Sequence, residues 1–162
     1  MSYPQLRYSA DTGEPSARYR SHAEPLDLTY STGGTVHYLS TTATTGGEFG
    51  LYRWNFAPKT SGPDAHFHKT ISESFFILSG TVRLYDGKKW VDATEGDYLF
   101  VPEGGIHAFK NESGEAASML LLFAPGAPRE EYFETLRDSG QGKTMTDEEK
   151  AEFFVRHDTY WL

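Results

Sequence analysis

The chain has 162 residues and a formal net charge of -8 at pH 7, from 23 acidic and 15 basic side chains; that length fits one domain, able to bury roughly 70% of its unfolded surface. It contains no Cys, which excludes disulfides, thiolate metal sites and a Cys nucleophile, so any metal must be held by His, Asp or Glu. The acidic balance argues against a nucleic-acid or anionic-membrane binder, because either needs a basic face.

No segment approaches the ~20 apolar residues of a membrane helix, and the first 20 residues lack the apolar stretch of a secretory signal. A cytoplasmic protein is the expectation. Residues 1–30 are polar and rich in Ser, Pro, Gly and charge. They read as an N-terminal arm, either mobile or laid over the main body. A barrel is expected over residues 31–126 and a helical tail over 127–162.

From Thr35 to Phe123 short apolar segments alternate with turn signals every 8 to 12 residues. The predicted strands are 36–42, 50–57, 74–78, 81–85, 89–93, 98–101, 106–110 and 117–123. Between them stand Gly46-Gly47, Ser79-Gly80, Asp86-Gly87, Gly96-Asp97, Gly104-Gly105 and Ser113-Gly114, residue types that supply tight turns. This spacing predicts an all-β sandwich or barrel, and the aromatic share of 15% suits it. Tyr52, Trp54 and Phe56 share one face of their strand and read as core rather than substrate wall. Phe75–Leu78 and Met119–Phe123 are apolar on both faces, so they need cover on both sides. The barrel interior is one cover; the arm, the tail helices or a second subunit is the other. A homodimer is expected on that ground.

After Pro125 the pattern changes. Pro128 suits a helix start, Tyr132, Phe133 and Leu136 share one side, and Gly140 ends it. Thr146 with Glu149 three residues on forms a capping box for a second short helix. Phe153 and Phe154 supply its apolar face.

Three histidines and one acid stand out. His66 and His68 are separated by one residue, which on a strand places both on the same face about 6 to 7 Å apart. Glu73 opens the next strand, with Phe75 and Ile77 at its parity. His107 follows the tight turn Pro102-Glu103-Gly104-Gly105. Three imidazoles and a carboxylate suit one divalent transition metal (Fe, Mn, Ni, Cu or Zn) and do not suit Mg or Ca. His22, His37 and His157 have no such context.

Gly96, Pro102, Gly104, His107 and Asn111 match the second motif of the cupin superfamily at every fixed position, and His66, His68, Glu73 and Gly80 match the first. The chain resembles a small single-domain cupin of the quercetin dioxygenase-like kind. The usual glycine six residues before the first histidine is Thr60 here, with Gly62 nearby. The resemblance implies a double-stranded β-helix, or jelly-roll, barrel with short C-terminal helices. It also implies a metal-dependent oxygenase acting on a small enolisable or aromatic compound such as a flavonol or polyketide. In that scheme His66, His68, Glu73 and His107 hold the metal, and Glu73 doubles as the general base. The alternatives are a non-redox isomerase or cyclase, and a non-catalytic metal or small-molecule binding cupin. Asn111 reads as a backbone brace, and Gly80, Gly96 and Gly104 as turn formers. Arg53 is either outward-facing or an anion anchor.

Overall fold

The computed structural model describes residues 2–162. Its elements, in chain order, are β1 (Leu28–Thr29), β2 (Thr35–Ser40), β3 (Gly50–Phe56), β4 (His66–Phe67), β5 (Ser72–Ser79), β6 (Val82–Tyr85), β7 (Trp90–Ala93), β8 (Tyr98–Val101), β9 (Ala108–Lys110), β10 (Ala117–Ala124), α1 (Arg129–Gly140), α2 (Asp147–Arg156) and β11 (Tyr160–Trp161). Residues 2–27 carry neither helix nor strand. Within that stretch Arg20 pairs with Glu24 and Asp27, and the Asp27 carboxylate accepts from the backbone N–H of Tyr38 in β2.

The strands form a jelly roll whose sheets do not close into one continuous cylinder. One sheet has six strands in the order β1-β2-β3-β10-β5-β8. Facing residues come from the small sheets β7-β6-β9 and β11-β4. Isolated bridges Ser61↔Asn111 and His66↔His107 run the segment around β4 along β9, linking those two small sheets. All the strand pairs are antiparallel.

A single hydrophobic cluster draws on both layers: Tyr52, Phe75, Ile77, Met119 and Leu121 from the large sheet, Val82, Leu84 and Phe109 from the small one. Each such side chain taken from water is worth roughly 1.5–3 kcal/mol, so this alternation fixes which strand faces point inward. In β5 the inward set is Glu73, Phe75 and Ile77, which carries Glu73 into the interior with its apolar neighbours. The outward set is less covered than its apolarity suggests. Phe76 is 41% exposed, beside exposed Tyr98 and Phe100 on the edge strand β8.

The tail helices form where predicted. Pro128 is the N-cap of α1. At α2, Thr146 accepts from the Glu149 N–H while the Glu149 carboxylate accepts from the Thr146 N–H, completing the capping box. Phe133 packs edge-on against Tyr52 at 5.2 Å, and Tyr132 stacks on Phe153 at 5.3 Å, so α1 covers the open end of the roll and α2 covers α1. The chain then returns to the roll. β11 pairs with β4, with Tyr160 opposite Phe67 and Trp161 opposite His66. Sequence alone does not reveal this last strand, or β1 and β4, because two-residue strands leave no periodicity to read.

Candidate metal centre

The structure brings His66, His68, Glu73 and His107 together. One ligand atom from each lies within 4.8 Å of all the others, and all four residues are buried. Backbone pairing sets the geometry. His66 and His107 exchange both backbone hydrogen bonds, at 3.0 and 2.9 Å, so their rings stand side by side with centroids 4.4 Å apart. His68 lies two residues on, and its backbone carbonyl accepts from the Gly104 N–H in the Pro102–Gly105 turn.

Each imidazole is oriented by a backbone carbonyl behind it. Nδ1 of His66 donates to Asp64 O at 2.8 Å, Nδ1 of His107 to Gly105 O at 3.0 Å, and Nδ1 of His68 to Asp158 O. A carbonyl can only accept, so each Nδ1 carries the proton and each neutral ring keeps its lone pair on Nε2. Nε2 of His107 and of His68 face the same Glu73 oxygen, Oε2, at 2.8 and 3.2 Å. Lone pairs aimed at a carboxylate repel unless a cation, proton or metal, sits among them. The donor set can therefore hold a divalent transition metal.

The electrostatics agree. Burial alone would raise the Glu73 carboxyl, but hydrogen bonds and charge from His107 and His68 override it and hold the group below the usual carboxylate range. His107 is pulled down by burial, yet its contact with Glu73 lifts it above its ordinary value. Burial and the neighbouring His107 push His66 down to about 4, so it stays neutral.

The centre opens into a cavity of about 300 Å³ that His66 and Glu73 line. Its walls are mainly aromatic: Trp54, Phe56, Phe109, Phe123, Phe133 and Trp161. Phe56 belongs to the core cluster and Trp54 packs against it, as read from sequence, and both also line the cavity, while Tyr52 is fully buried.

Residues 52–123 match the family model of the cupin domain. Over those residues the jelly roll is similar to a cupin domain. Its sequence is 29% identical over 91 residues to quercetin 2,3-dioxygenase of Bacillus subtilis (strain 168), an alignment covering 56% of this chain and 26% of that protein; the chain thus spans about a quarter of that relative's length. Among solved structures, KdgF from Halomonas sp. superposes with a TM-score of 0.58 at 12% identity, covering 68% of this chain and 94% of the other. The polyketide cyclase RemF from Streptomyces resistomycificus gives a TM-score of 0.56 at 19% identity, over 69% of this chain and 82% of that one. At such identities the two structures share the cupin fold and nothing finer.

Other residues fall into place around the centre. Asn111 is fully buried and braces backbone: Nδ2 donates to Ala57 O and Glu115 O, and Oδ1 accepts from Ser113. Gly62 occupies a backbone conformation, φ +132°, in which a Cβ would meet the Phe109 carbonyl at 2.0 Å; a glycine is needed there although the family's usual position carries Thr60. Arg53 bonds Ser118 Oγ at 3.4 Å and does not line the cavity. His22, His37 and His157 lie outside the cluster. Two residues that sequence reasoning passed over belong to the site, Asp158 behind His68 and Arg129 on the cavity wall. Neither sits in a motif, and only the return of the tail places them here. Among the described residues no helix is long and apolar enough to cross a membrane.

Proposed function

We propose that this cupin is a metal-dependent oxygenase acting on a small enolisable or aromatic compound, of the flavonol or polyketide kind. The observation that carries the reading is the junction of a three-histidine, one-carboxylate cluster with an aromatic-walled cavity. The sequence similarity to a quercetin 2,3-dioxygenase supports it. His66, His68, Glu73 and His107 would hold one divalent ion, Fe, Mn, Ni, Cu or Zn. Bound there, such an ion supplies Lewis acidity that lowers the pKa of a coordinated hydroxyl.

The chain's own residues do the rest. Glu73 lines the cavity beside the three histidines, where its carboxylate could take the enol proton as general base. Trp54, Phe109 and Phe123 offer flat apolar walls that hold a planar compound and keep water from the reacting carbon. The homodimer belongs to the same reading: a second copy would cover Phe76, Tyr98 and Phe100, and sedimentation of the purified protein tests it.

The test of the activity is elemental analysis of the purified chain, followed by oxygen uptake with flavonols and related enols. Uptake that needs both metal and substrate is expected. Turnover that proceeds without O2 and with Zn would make the protein an isomerase or cyclase. Binding without product would make it a non-catalytic module.

A further inference from the structure

The cavity wall carries a buried cation that makes no ion pair among the described residues. Arg129, the first residue of α1, is only 4% exposed and lines the same cavity as His66 and Glu73. Its guanidinium is always protonated. One nitrogen donates to His157 O at 2.7 Å, and Nε, fully buried, has no hydrogen-bond partner among the described residues. The two acids beside it in sequence are engaged elsewhere. Glu130 accepts from the Tyr52 hydroxyl at 2.5 Å, and Glu131 lies near Arg156 and His157. What surrounds the guanidinium is aromatic: Tyr132 at 4.0 Å, Phe123 at 5.0 Å and Phe133 at 5.6 Å from ring centroids. Ring faces offset part of the cost of burying a cation, but an uncompensated buried charge stays expensive. The positive end of α1 adds field of the same sign.

We infer that Arg129 anchors an acidic oxygen of the compound that fills the cavity, so that the ligand is a small aromatic or enolic anion, a hydroxyaryl carboxylate for example, rather than a neutral one. This rests on the cavity being the substrate site of the proposed oxygenase. It assigns one end of the ligand to the metal centre and the other to the guanidinium. A carboxylate meeting the guanidinium where it lines the cavity would compensate the charge, in the planar geometry that Arg favours. Aromatic rings on either side would hold the body of the ligand between them.

The probes are 1-hydroxy-2-naphthoate and its methyl ester, which differ in charge but little in shape. Binding is measured on chelator-stripped full-length protein, where no metal can supply the preference, through quenching of Trp54 and Trp161 fluorescence and by calorimetry. The acid should bind about tenfold to a hundredfold tighter than the ester, the range of one buried charge-assisted bond. R129M should remove that preference and R129K should keep part of it. Thermal unfolding of both variants checks that they fold; should R129M fail to fold, the wild-type pair and R129K decide. Equal binding of acid and ester, no binding of either, or a preference that survives in R129M would overturn the assignment and leave Arg129 as a strut between α1 and the tail. Metal uptake is measured separately on the same preparations. Its failure would sink the metal reading without touching the acid preference, and loss of the preference with metal uptake intact would sink only this inference.

Discussion

The backbone carbonyl of Asp158 accepts the Nδ1 proton of His68, a residue 90 positions earlier in the chain. The Asp158 side chain works on the same segment: its carboxylate accepts from the backbone N–H groups of Lys69 and Thr70 at 2.8–3.1 Å and from the Thr70 hydroxyl at 2.7 Å. Asp158 itself sits at φ 52°, a left-handed conformation that Asp tolerates better than most residues. One residue of the tail therefore clamps the turn between His68 and Glu73, and it also fixes the tautomer of His68.

Losing that clamp should loosen the metal ligand without removing it. D158A removes four acceptor contacts and strains the left-handed backbone. Metal affinity, read by competition with a chelator of known strength, should fall about tenfold to a hundredfold, the usual effect of removing a group that orients a metal ligand. D158N, which keeps the backbone preference and one acceptor oxygen, should fall between the two. An unchanged affinity in D158A would mean that β11 alone positions His68.

Metal removal should register in stability. A ligand that binds only the folded chain, present at 100 times its Kd, adds about 2.7 kcal/mol. For a domain of this size that corresponds to a rise in Tm of about 5–10 °C. Stripping the protein with a chelator and adding back Mn, Fe, Ni, Cu or Zn singly, with calorimetric scans of each, checks it. A Tm indifferent to all five would count against the centre.

The ligand set makes a sharper statement through Glu73 and His107. Without metal, the Glu73 carboxylate relies on His107 at 2.8 Å and His68 at 3.2 Å. H107A leaves a buried carboxylate short of its nearer partner and should cost about 3–5 kcal/mol. E73Q should be far milder, because the amide can donate to both Nε2 lone pairs. The E73Q protein should then fold with nearly wild-type stability in chelator, yet show no gain in Tm when metal is returned. Urea unfolding of the stripped variants reads the first effect, and thermal scans with metal read the second.

Much of this was legible in the sequence, for reasons visible in particular residues. Strand periodicity and turn signals located β2, β3 and β5–β10, most clearly where side chains are buried alternately, as in β5 and β6, and the capping box at Thr146 marked α2. The four clustered side chains were legible because their spacing follows backbone pairing, His66 against His107 and Glu73 on an inward position of β5. What escaped were features of long-range return. β11, Asp158 and Arg129 reach the centre from the tail, where no local pattern signals the contact; of the two readings of Arg53, outward-facing or anion anchor, its absence from the cavity wall favours the first. The cover expected over Phe76 is not supplied by the arm or the helices.

Gly62 carries the last prediction. It adjoins Ser61, which pairs with Asn111, and it lines the cavity. Its φ of +132° disfavours any L side chain, and a Cβ there would stand 2.0 Å from Phe109 O and 2.8 Å from Lys110 Cα. Both obstacles are backbone of β9 or next to it, so neither can swing away as a flexible side chain would. G62A should therefore cost about 2–4 kcal/mol, combining backbone strain with a forced shift of the strand. The shift would act on β9, whose first residue follows His107, so metal affinity should weaken along with stability. T60A, at the position where the cupin motif usually has glycine, should change neither by more than about 0.5 kcal/mol, because Thr60 is exposed. Chemical denaturation and chelator competition on the two variants decide it, and a G62A protein as stable as wild type would show that β9 can move aside without disturbing the centre.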